Sequence, residues 1–391
     1  MLPIKRISAS AVFFVFIFLL FAAKVNAEFD PFSHPNNMFG IHILFPEELD
    51  RAATLVNSSN GQWGYVTIPI QVGDKNIDKW QDFMIKAYKY KLIPILRLAT
   101  EADYHGTGVW RKPTEADVLD FANFLNSIYW PIKNRYIILF NEVNRSDEWG
   151  GEAPNPTDYV SILSYAIDVF KSKNPDFFVI SAGLDNAAPN VQGKFMDDYT
   201  YLRQMGEANP GIFNKIDGIA SHSYPNPGFS QPPQSTSKTG VTSYRYEYDI
   251  ISSHSSVKKP IFITETGWDD TAIPGSVISQ YYKYAFESVW EKDSDKVVAV
   301  TPFLLNSQQG AFDKFSFFKD GAFTLFAKAY AEMPKISGQP ETISPPPETP
   351  TPAQKSVLGI MDFKKHYNTL HETIGSKIVR LYFKMLFGLL N

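Results

Sequence analysis

The chain has 391 residues, of which 20% are charged, and its formal net charge at pH 7 is −4. This near balance of charge gives no indication of a nucleic-acid partner, and the length is enough for one large domain or two average ones. Because the sequence contains no cysteine, disulfide bonds, thiolate nucleophiles and cysteine-based metal sites are excluded.

Residues 1–27 have the pattern of a cleaved signal peptide. The basic residues Lys5 and Arg6 precede an uncharged apolar run at residues 11–23, and small residues up to Ala27 resemble a cleavage site. The run is shorter than the roughly 20 apolar residues that a membrane-spanning helix needs, and an uncleaved anchor is the alternative. We therefore expect an exported protein that is extracellular or associated with the cell surface.

Residues 28–336 alternate between apolar runs and amphipathic stretches, as in a domain of alternating strands and helices. Branched and aromatic runs predict eight strands, at residues 38–44, 65–71, 92–99, 136–141, 177–182, 216–221, 261–265 and 297–303. Helical spacing of apolar residues predicts helices at residues 78–90, 114–129, 155–173, 275–290 and 322–331. This pattern predicts an α/β fold of the (β/α)8, or TIM, barrel type. A doubly wound open sheet is the alternative, although no glycine-rich phosphate loop follows the first strand.

The C-terminal part of the chain differs in composition from this domain. Residues 337–355 are rich in Pro and Thr, which predicts an extended linker. Residues 356–391 are too few for an independent domain and predict an amphipathic helical tail. Its last segment, residues 377–391, has basic residues on one helical stripe among apolar ones, which indicates contact with a membrane surface. Docking on a partner, or packing on the protein's own barrel, are the alternatives.

Two glutamates stand where apolar runs end. Glu142 follows the predicted strand 136–141, and Glu265 ends the predicted strand 261–265. Side chains at the carboxyl end of barrel strands lie on the face that carries the active site in such folds. Two carboxyl groups that meet there from distant parts of the sequence can act as acid, base and nucleophile on one bond.

The sequence around both glutamates resembles a known class of enzymes. With Asn-Glu at residues 141–142 and Thr-Glu-Thr-Gly-Trp at residues 264–268, the chain resembles the retaining glycoside hydrolases of clan A, the large (β/α)8 clan that includes cellulases, mannanases and β-xylosidases. The resemblance covers roughly residues 36–335. It implies that Glu142 is the general acid and base and that Glu265 is the nucleophile, which forms a covalent glycosyl-enzyme.

The same resemblance implies supporting roles for residues near the glutamates. Asn141 matches the asparagine that binds the 2-hydroxyl of the sugar. His222 and Tyr224, which follow the predicted sixth strand, match the histidine and tyrosine that flank the nucleophile, with the tyrosine orienting the carboxylate. A structural role is the alternative for His222.

Three further residues are candidates for the site. Arg97 is a charge within an apolar strand, so it needs a carboxylate partner such as Glu265, although the clan's arginine usually ends the second strand and Arg97 lies in the third. His42 lies in the predicted first strand and is a candidate sugar contact. Trp268 follows Glu265 closely and could stack on a sugar ring. Packing in the core is the alternative for His42 and Trp268.

One departure from the clan concerns the eighth strand. Many members carry a tryptophan at its end, as the floor of the subsite for the cleaved sugar, whereas this chain has Phe303 there. Phe303, Phe312 and Phe315 are candidate substitutes. This departure bears on the identity of the substrate more than on the type of reaction.

The sequence therefore predicts an exported retaining O-glycosidase that acts on an oligosaccharide or polysaccharide, with β-linked bonds expected. No cofactor and no metal site are expected, because the sequence has only seven histidines and no cysteine. A non-catalytic carbohydrate-binding barrel and a transglycosylase that uses the same residues are the alternatives. The sequence leaves the glycan, its linkage and the choice between exo and endo cleavage open.

Overall fold

The computed structural model describes residues 29–102, 108–308 and 310–347. The predicted signal peptide and the predicted amphipathic tail, including its segment 377–391, lie outside these residues. The described part of the chain contains no helix that is both long enough and apolar enough to cross a membrane.

Eight parallel strands close into a barrel. Neighbouring strands pair in parallel within two sheets, one of the first five strands and one of the last three. Parallel bridges from Ile180 to Gly218 and from Phe39 to Val300 join the two sheets at both edges. The predicted (β/α)8 barrel is thus confirmed, and its strands are β1 Gly40–His42, β2 Gly64–Gln71, β3 Leu92–Ala99, β4 Arg135–Leu139, β5 Phe177–Ile180, β6 Ile219–His222, β7 Ile261–Glu265 and β8 Val297–Val300.

At least one helix follows each strand. Several begin at residues whose side chains accept hydrogen bonds from free backbone N–H groups, as at Asn76, Thr114 and Asn155. The helices are α1 Leu49–Val56, α2 Ile77–Lys89, α3 Glu115–Ser127, α4 Pro156–Lys173, α5 Asp198–Ala208, α6 Ile212–Lys215, α7 Ser243–Ser253, α8 Gly275–Ala285 and α9 Leu325–Glu332. The helix predicted at residues 322–331 begins later than expected, because Ala322–Phe323 pairs in an antiparallel hairpin with Phe318–Lys319.

Aromatic side chains fill the lower part of the barrel interior. Successive strand residues point to opposite faces, so alternate residues of each strand enter the barrel. The ring of Tyr136 lies 5.0 Å from that of Phe178 and 5.3 Å from that of Phe262, between ring centroids. The same alternation points Arg97 inward, above Ile93 and Ile95. Above this filled layer, polar side chains lie at the carboxyl ends of the strands, where the site is.

The segment predicted as a linker begins on the opposite end of the barrel. Ser337 bridges to Gln62 and Thr342 bridges to Ile132, and both partners precede strands. The start of residues 337–355 is therefore an extended segment that is hydrogen-bonded to the folded domain.

Candidate active site

The two glutamates converge at the carboxyl ends of β4 and β7. One carboxylate oxygen of Glu142, one of Glu265 and a ring nitrogen of His222 all lie within 4.8 Å of one another. In retaining glycosidases the two catalytic carboxyl groups are about 5–5.5 Å apart. The geometry therefore suits transfer of a sugar to one carboxyl group while the other handles the proton.

An unusual backbone turn positions Glu142. Phe140 and Glu142 have positive φ angles of 73° and 33°, a region that residues other than glycine rarely adopt. The N–H of Glu142 donates a 3.0 Å hydrogen bond to the carbonyl of Gly183, which holds the turn against the end of β5. Such strained residues often cluster at functional sites.

Gly183 also allows His222 to approach Glu142. A Cβ atom at Gly183 would overlap the imidazole ring of His222, so only glycine leaves room for the ring. His222 Nδ1 lies 2.9 Å from Glu142 Oε1, at hydrogen-bond distance. Gly183 was not identified from the sequence, because a lone glycine after a strand does not reveal what lies against it.

Glu265 has an environment that favours its ionised form. The guanidinium of Arg97 donates a hydrogen bond to Oε1, and the hydroxyl of Tyr224 donates a 3.0 Å hydrogen bond to Oε2. Burial alone would raise the pKa of Glu265, but His222, Arg97 and the other nearby groups outweigh it and lower the pKa to about 2. Glu265 is therefore a carboxylate at neutral pH, as a nucleophile must be.

Glu142 has the opposite environment. Burial raises its pKa, and the carboxylate of Asp185 adds to this effect. The hydrogen bond to His222 and the charge of Arg145, whose Nη1 is 3.7 Å from Glu142 Oε2, oppose it without cancelling it. Two carboxyl groups whose pKa values are pushed apart are typical of an acid and a nucleophile at one site.

Arg97 connects Glu265 to a further pair of side chains. Its Nη1 also donates a 2.8 Å hydrogen bond to Asn141 Oδ1, and Asn141 Nδ2 donates a 3.0 Å hydrogen bond to Glu148 Oε1. A guanidinium only donates, so the amide oxygen of Asn141 must face Arg97. Glu148 was not identified from the sequence, since no motif surrounds it in its loop.

His42 and Trp268 lie differently from the positions that the sequence suggested. His42 is fully buried, with Nε2 3.9 Å from Glu265 Oε1, so it lies beside the Glu265 carboxylate and offers no surface to a sugar. Trp268 is 1% exposed, because its ring packs edge-on at 4.8 Å against Tyr282 of α8. Trp268 therefore packs in the core, as the alternative interpretation of the sequence expected. Its nearness to Glu265 in the sequence did not indicate the direction of its side chain.

Phenylalanines cover the end of β8. Phe303 packs with Tyr224 and Phe315 in a cluster that also includes the partly buried Phe229 and Phe312. The ring of Phe303 lies edge-on to His42 at 5.1 Å. Phe303 is 6% exposed and therefore closes the end of β8 together with these rings.

The carboxyl–imidazole cluster is compact enough to hold a metal ion, since its three ligand atoms lie within 4.8 Å of one another. However, the Arg97 guanidinium contacts Glu265 directly, and a fixed positive charge there would repel a cation. The raised pKa of Glu142 also disfavours the ionised ligand. The expectation of a site without metal stays a prediction.

No family model and no curated protein matches the sequence. Similarity is found among solved structures. A monomeric β-xylosidase from Caulobacter crescentus matches with a TM-score of 0.55 and 14% identity, over 76% of this chain and 68% of that one. A glucosidase from Croceicoccus marinus matches with a TM-score of 0.54 and 11% identity, over 77% and 68%. A GH5_18 protein from Streptomyces cattleya, solved in complex with GlcNAc, matches with a TM-score of 0.53 and 15% identity, over 77% and 80%.

These similarities define the class of fold. The chain has the fold of the TIM-barrel glycoside hydrolases. Within that class it is similar to the retaining enzymes of clan A, so the resemblance seen in the sequence is confirmed at the level of fold.

Proposed function

We propose that this protein is a retaining O-glycosidase that cleaves an oligosaccharide or polysaccharide by double displacement, with Glu265 as nucleophile and Glu142 as acid and base. The observation that carries the proposal is the pair of carboxyl groups within 4.8 Å, one with a lowered and one with a raised pKa. The fold similarity to glycoside hydrolases supports it.

In the first step, the carboxylate of Glu265 attacks the anomeric carbon and forms a glycosyl ester. The bond from that carbon to the leaving oxygen breaks, and Glu142 gives its proton to this oxygen. The Tyr224 hydroxyl, which donates to Glu265 Oε2, and Arg97, which donates to Oε1, hold the nucleophile in one orientation.

In the second step, water replaces the enzyme on the sugar. Esterification removes the negative charge of Glu265, and loss of a nearby negative charge lowers the pKa of Glu142. Glu142 then takes a proton from water as the oxygen attacks the anomeric carbon. The ester bond breaks, Glu265 leaves as a carboxylate, and the product keeps its original anomeric configuration.

Substitution of the two glutamates tests these roles. Glu265→Gln should reduce hydrolysis of any accepted glycoside to background, because an amide is not a nucleophile. Glu142→Ala should lose about 10²–10⁴-fold on substrates with poor leaving groups and much less in the first step on dinitrophenyl glycosides, which need no protonation.

Glu152→Gln is the matched control, since Glu152 is exposed and pairs with Lys112 away from the two glutamates. It should keep wild-type rates. Wild-type turnover by Glu265→Gln would contradict the proposal. Binding of glycans without turnover by the wild-type protein would favour the carbohydrate-binding alternative, and sugar transfer to an added acceptor would favour the transglycosylase.

We also propose that the protein is exported and that residues 377–391 contact a membrane surface. The basic and apolar pattern of residues 1–27 supports the first proposal, and the basic stripe of the tail supports the second. Sequencing of the mature N-terminus after expression in a secreting host tests export. Co-sedimentation of the full chain with anionic and neutral vesicles tests the tail, and absence of binding to either would refute that part.

A further inference from the structure

The guanidinium of Arg145 lies among three carboxyl groups beside the site. Its Nε and Nη2 donate hydrogen bonds of 3.1 and 2.8 Å to the two carboxylate oxygens of Asp147. Its Nη1 donates a 3.1 Å hydrogen bond to Asp185 Oδ2 and lies 3.7 Å from Glu142 Oε2. Arg145 is therefore bound to two carboxylates, and it stands next to a third at a distance too long for a hydrogen bond.

The loops that follow β4 and β5 hold this arrangement together. The buried Asn144 joins them, because its Oδ1 accepts a 3.0 Å hydrogen bond from the N–H of Asp185 and its Nδ2 donates one of 3.0 Å to the carbonyl of Asp185. The backbone of Arg145 bridges to Phe195 in the second loop, and the Arg145 Cζ atom lies 5.6 Å from the centre of the Phe195 ring. Contacts from both loops thus fix the place of the guanidinium.

This place suits an acid that must later act as a base. Glu142 Oε1 lies 2.9 Å from His222 Nδ1, and Glu142 Oε2 is the oxygen that faces Arg145. Arg145 Nη1 carries two N–H groups, and Asp185 takes one of them. A displacement of less than about 1 Å would bring Nη1 to the distance of a charge-assisted hydrogen bond from Oε2, about 2.7–2.9 Å. An ionised Glu142 attracts the guanidinium, whereas a protonated one does so far less.

The other groups around Glu142 leave this task to Arg145. The second guanidinium at the site, that of Arg97, is bound to Glu265 and Asn141. The remaining titratable groups that act on Glu142 or lie close to it are His222, Tyr224, Asp185, Glu148 and Glu265. His222 is already at Oε1, and the rest are acids, which are neutral or negative. Among these described neighbours, Arg145 is the cation that faces Glu142 Oε2.

We propose that Arg145 is a positioning residue, which Asp147 and Asp185 hold just short of Glu142 and whose guanidinium binds the Glu142 carboxylate after the proton has left. The inference rests on the proposed function for the step in which Glu142 gives its proton to the leaving oxygen. Before that step, the two aspartates keep the guanidinium from pairing with Glu142, so the acid stays protonated. Afterwards the guanidinium stabilises the carboxylate until Glu142 takes a proton from water, and it then returns to its first position.

Variants that change the charge in opposite directions test this role. Arg145→Gln removes the cation, so the pKa of Glu142 should rise by about one unit. Asp185→Asn removes an anion and frees the guanidinium, so this pKa should fall by about one unit. Asp147→Asn should also lower the pKa and provides a second variant of this kind, and Arg145→Lys should recover most of the wild-type value because it keeps the charge.

Carbon-13 NMR titration of the labelled glutamate carboxyl groups measures this pKa on the full chain without any turnover. The signal of Glu142 is identified by its loss in Glu142→Gln. The pH dependence of kcat/KM on an accepted glycoside gives a second readout. Because the first step needs a protonated Glu142, the basic limb should move to higher pH in Arg145→Gln and to lower pH in Asp185→Asn.

Arg245→Gln is the matched control, since Arg245 on α7 pairs with Asp293 in a similar way, and it should titrate as the wild type does. Shifts in the same direction for Arg145→Gln and Asp185→Asn, or an unchanged pKa of Glu142 in both, would overturn the inference, since a merely structural role lowers activity without opposite shifts. Either result together with hydrolysis by the wild type would refute this inference alone. Opposite shifts in a protein that hydrolyses no glycoside would refute the proposed function and leave the contact between Arg145 and the Glu142 carboxylate standing.

Discussion

At the scale of single residues, Glu142 and Glu265 are close neighbours but have opposite electrostatic surroundings. Glu265 contacts Arg97 and Tyr224, which both donate hydrogen bonds to it. Glu142 shares a hydrogen bond with His222, and burial and Asp185 outweigh the effect of this contact on its pKa. The difference allows one carboxyl group to be ionised while the other keeps its proton, although an oxygen of one lies within 4.8 Å of an oxygen of the other.

This difference predicts the pH dependence of the Tyr224→Phe variant. The hydroxyl donates to ionised Glu265, so its loss should raise the pKa of Glu265 from about 2 and lower kcat/KM about ten- to a hundredfold. Because activity needs the carboxylate, the acidic limb of the kcat/KM profile should move to higher pH. Tyr201→Phe is the control, since Tyr201 is also buried and hydrogen-bonded but lies outside the site. An unchanged acidic limb in Tyr224→Phe would contradict the assigned role.

At the scale of secondary-structure elements, α5 and α7 bury a pair of carboxyl groups behind β6. Asp198 of α5 is 1% exposed and Glu247 of α7 is 3% exposed, and Asp198 Oδ2 has no hydrogen-bond partner in the described part of the chain. Burial and the nearby Glu247 raise the pKa of Asp198 from 3.8 to about 9. The folded state thus holds a proton that the unfolded state releases.

The pair therefore predicts a loss of stability at alkaline pH. Between the ordinary pKa of Asp198, 3.8, and about 9, the folded state binds more protons than the unfolded state, so the free energy of unfolding falls as pH rises. Asp198→Asn cannot ionise, and its fall in Tm from pH 6 to pH 9 should be smaller than that of the wild type by several °C. The exposed Asp249→Asn on α7 is the control and should follow the wild type. An equal fall in all three proteins would contradict this assignment.

The strands were far easier to predict than the helices. β3 and β7 were predicted with their observed bounds, because fully buried strands are continuous apolar runs that end at polar residues. α1, α5, α6 and α7 were not identified. α1 and α7 both begin without a side-chain cap, so they lack the start signal that marks α3 and α4.

The residues of the site were also predictable to different degrees. The ends of parallel strands meet on one face of a barrel, so the sequence was enough to bring Glu142, Glu265, Asn141 and Arg97 to the same place. The direction of loop side chains depends on tertiary packing, which is why Trp268 was placed incorrectly and Glu148 was missed.

At the scale of the whole molecule, the barrel brings the proposed nucleophile, Glu265, and the proposed acid, Glu142, from distant segments to within 4.8 Å of each other. Sugar transfer through a covalent intermediate is the central claim of this arrangement. Removal of the base should slow the second step far more than the first when the leaving group needs no protonation, so the glycosyl-enzyme should accumulate in Glu142→Ala.

Intact-protein mass spectrometry of Glu142→Ala, mixed with a panel of dinitrophenyl β-glycosides, measures this intermediate directly. The account predicts a mass increase of one sugar unit with an accepted glycoside, located by peptide mapping to Glu265 and absent from the Glu142→Ala/Glu265→Gln double variant. Release of dinitrophenol without any adduct, or an adduct on another residue, would contradict it.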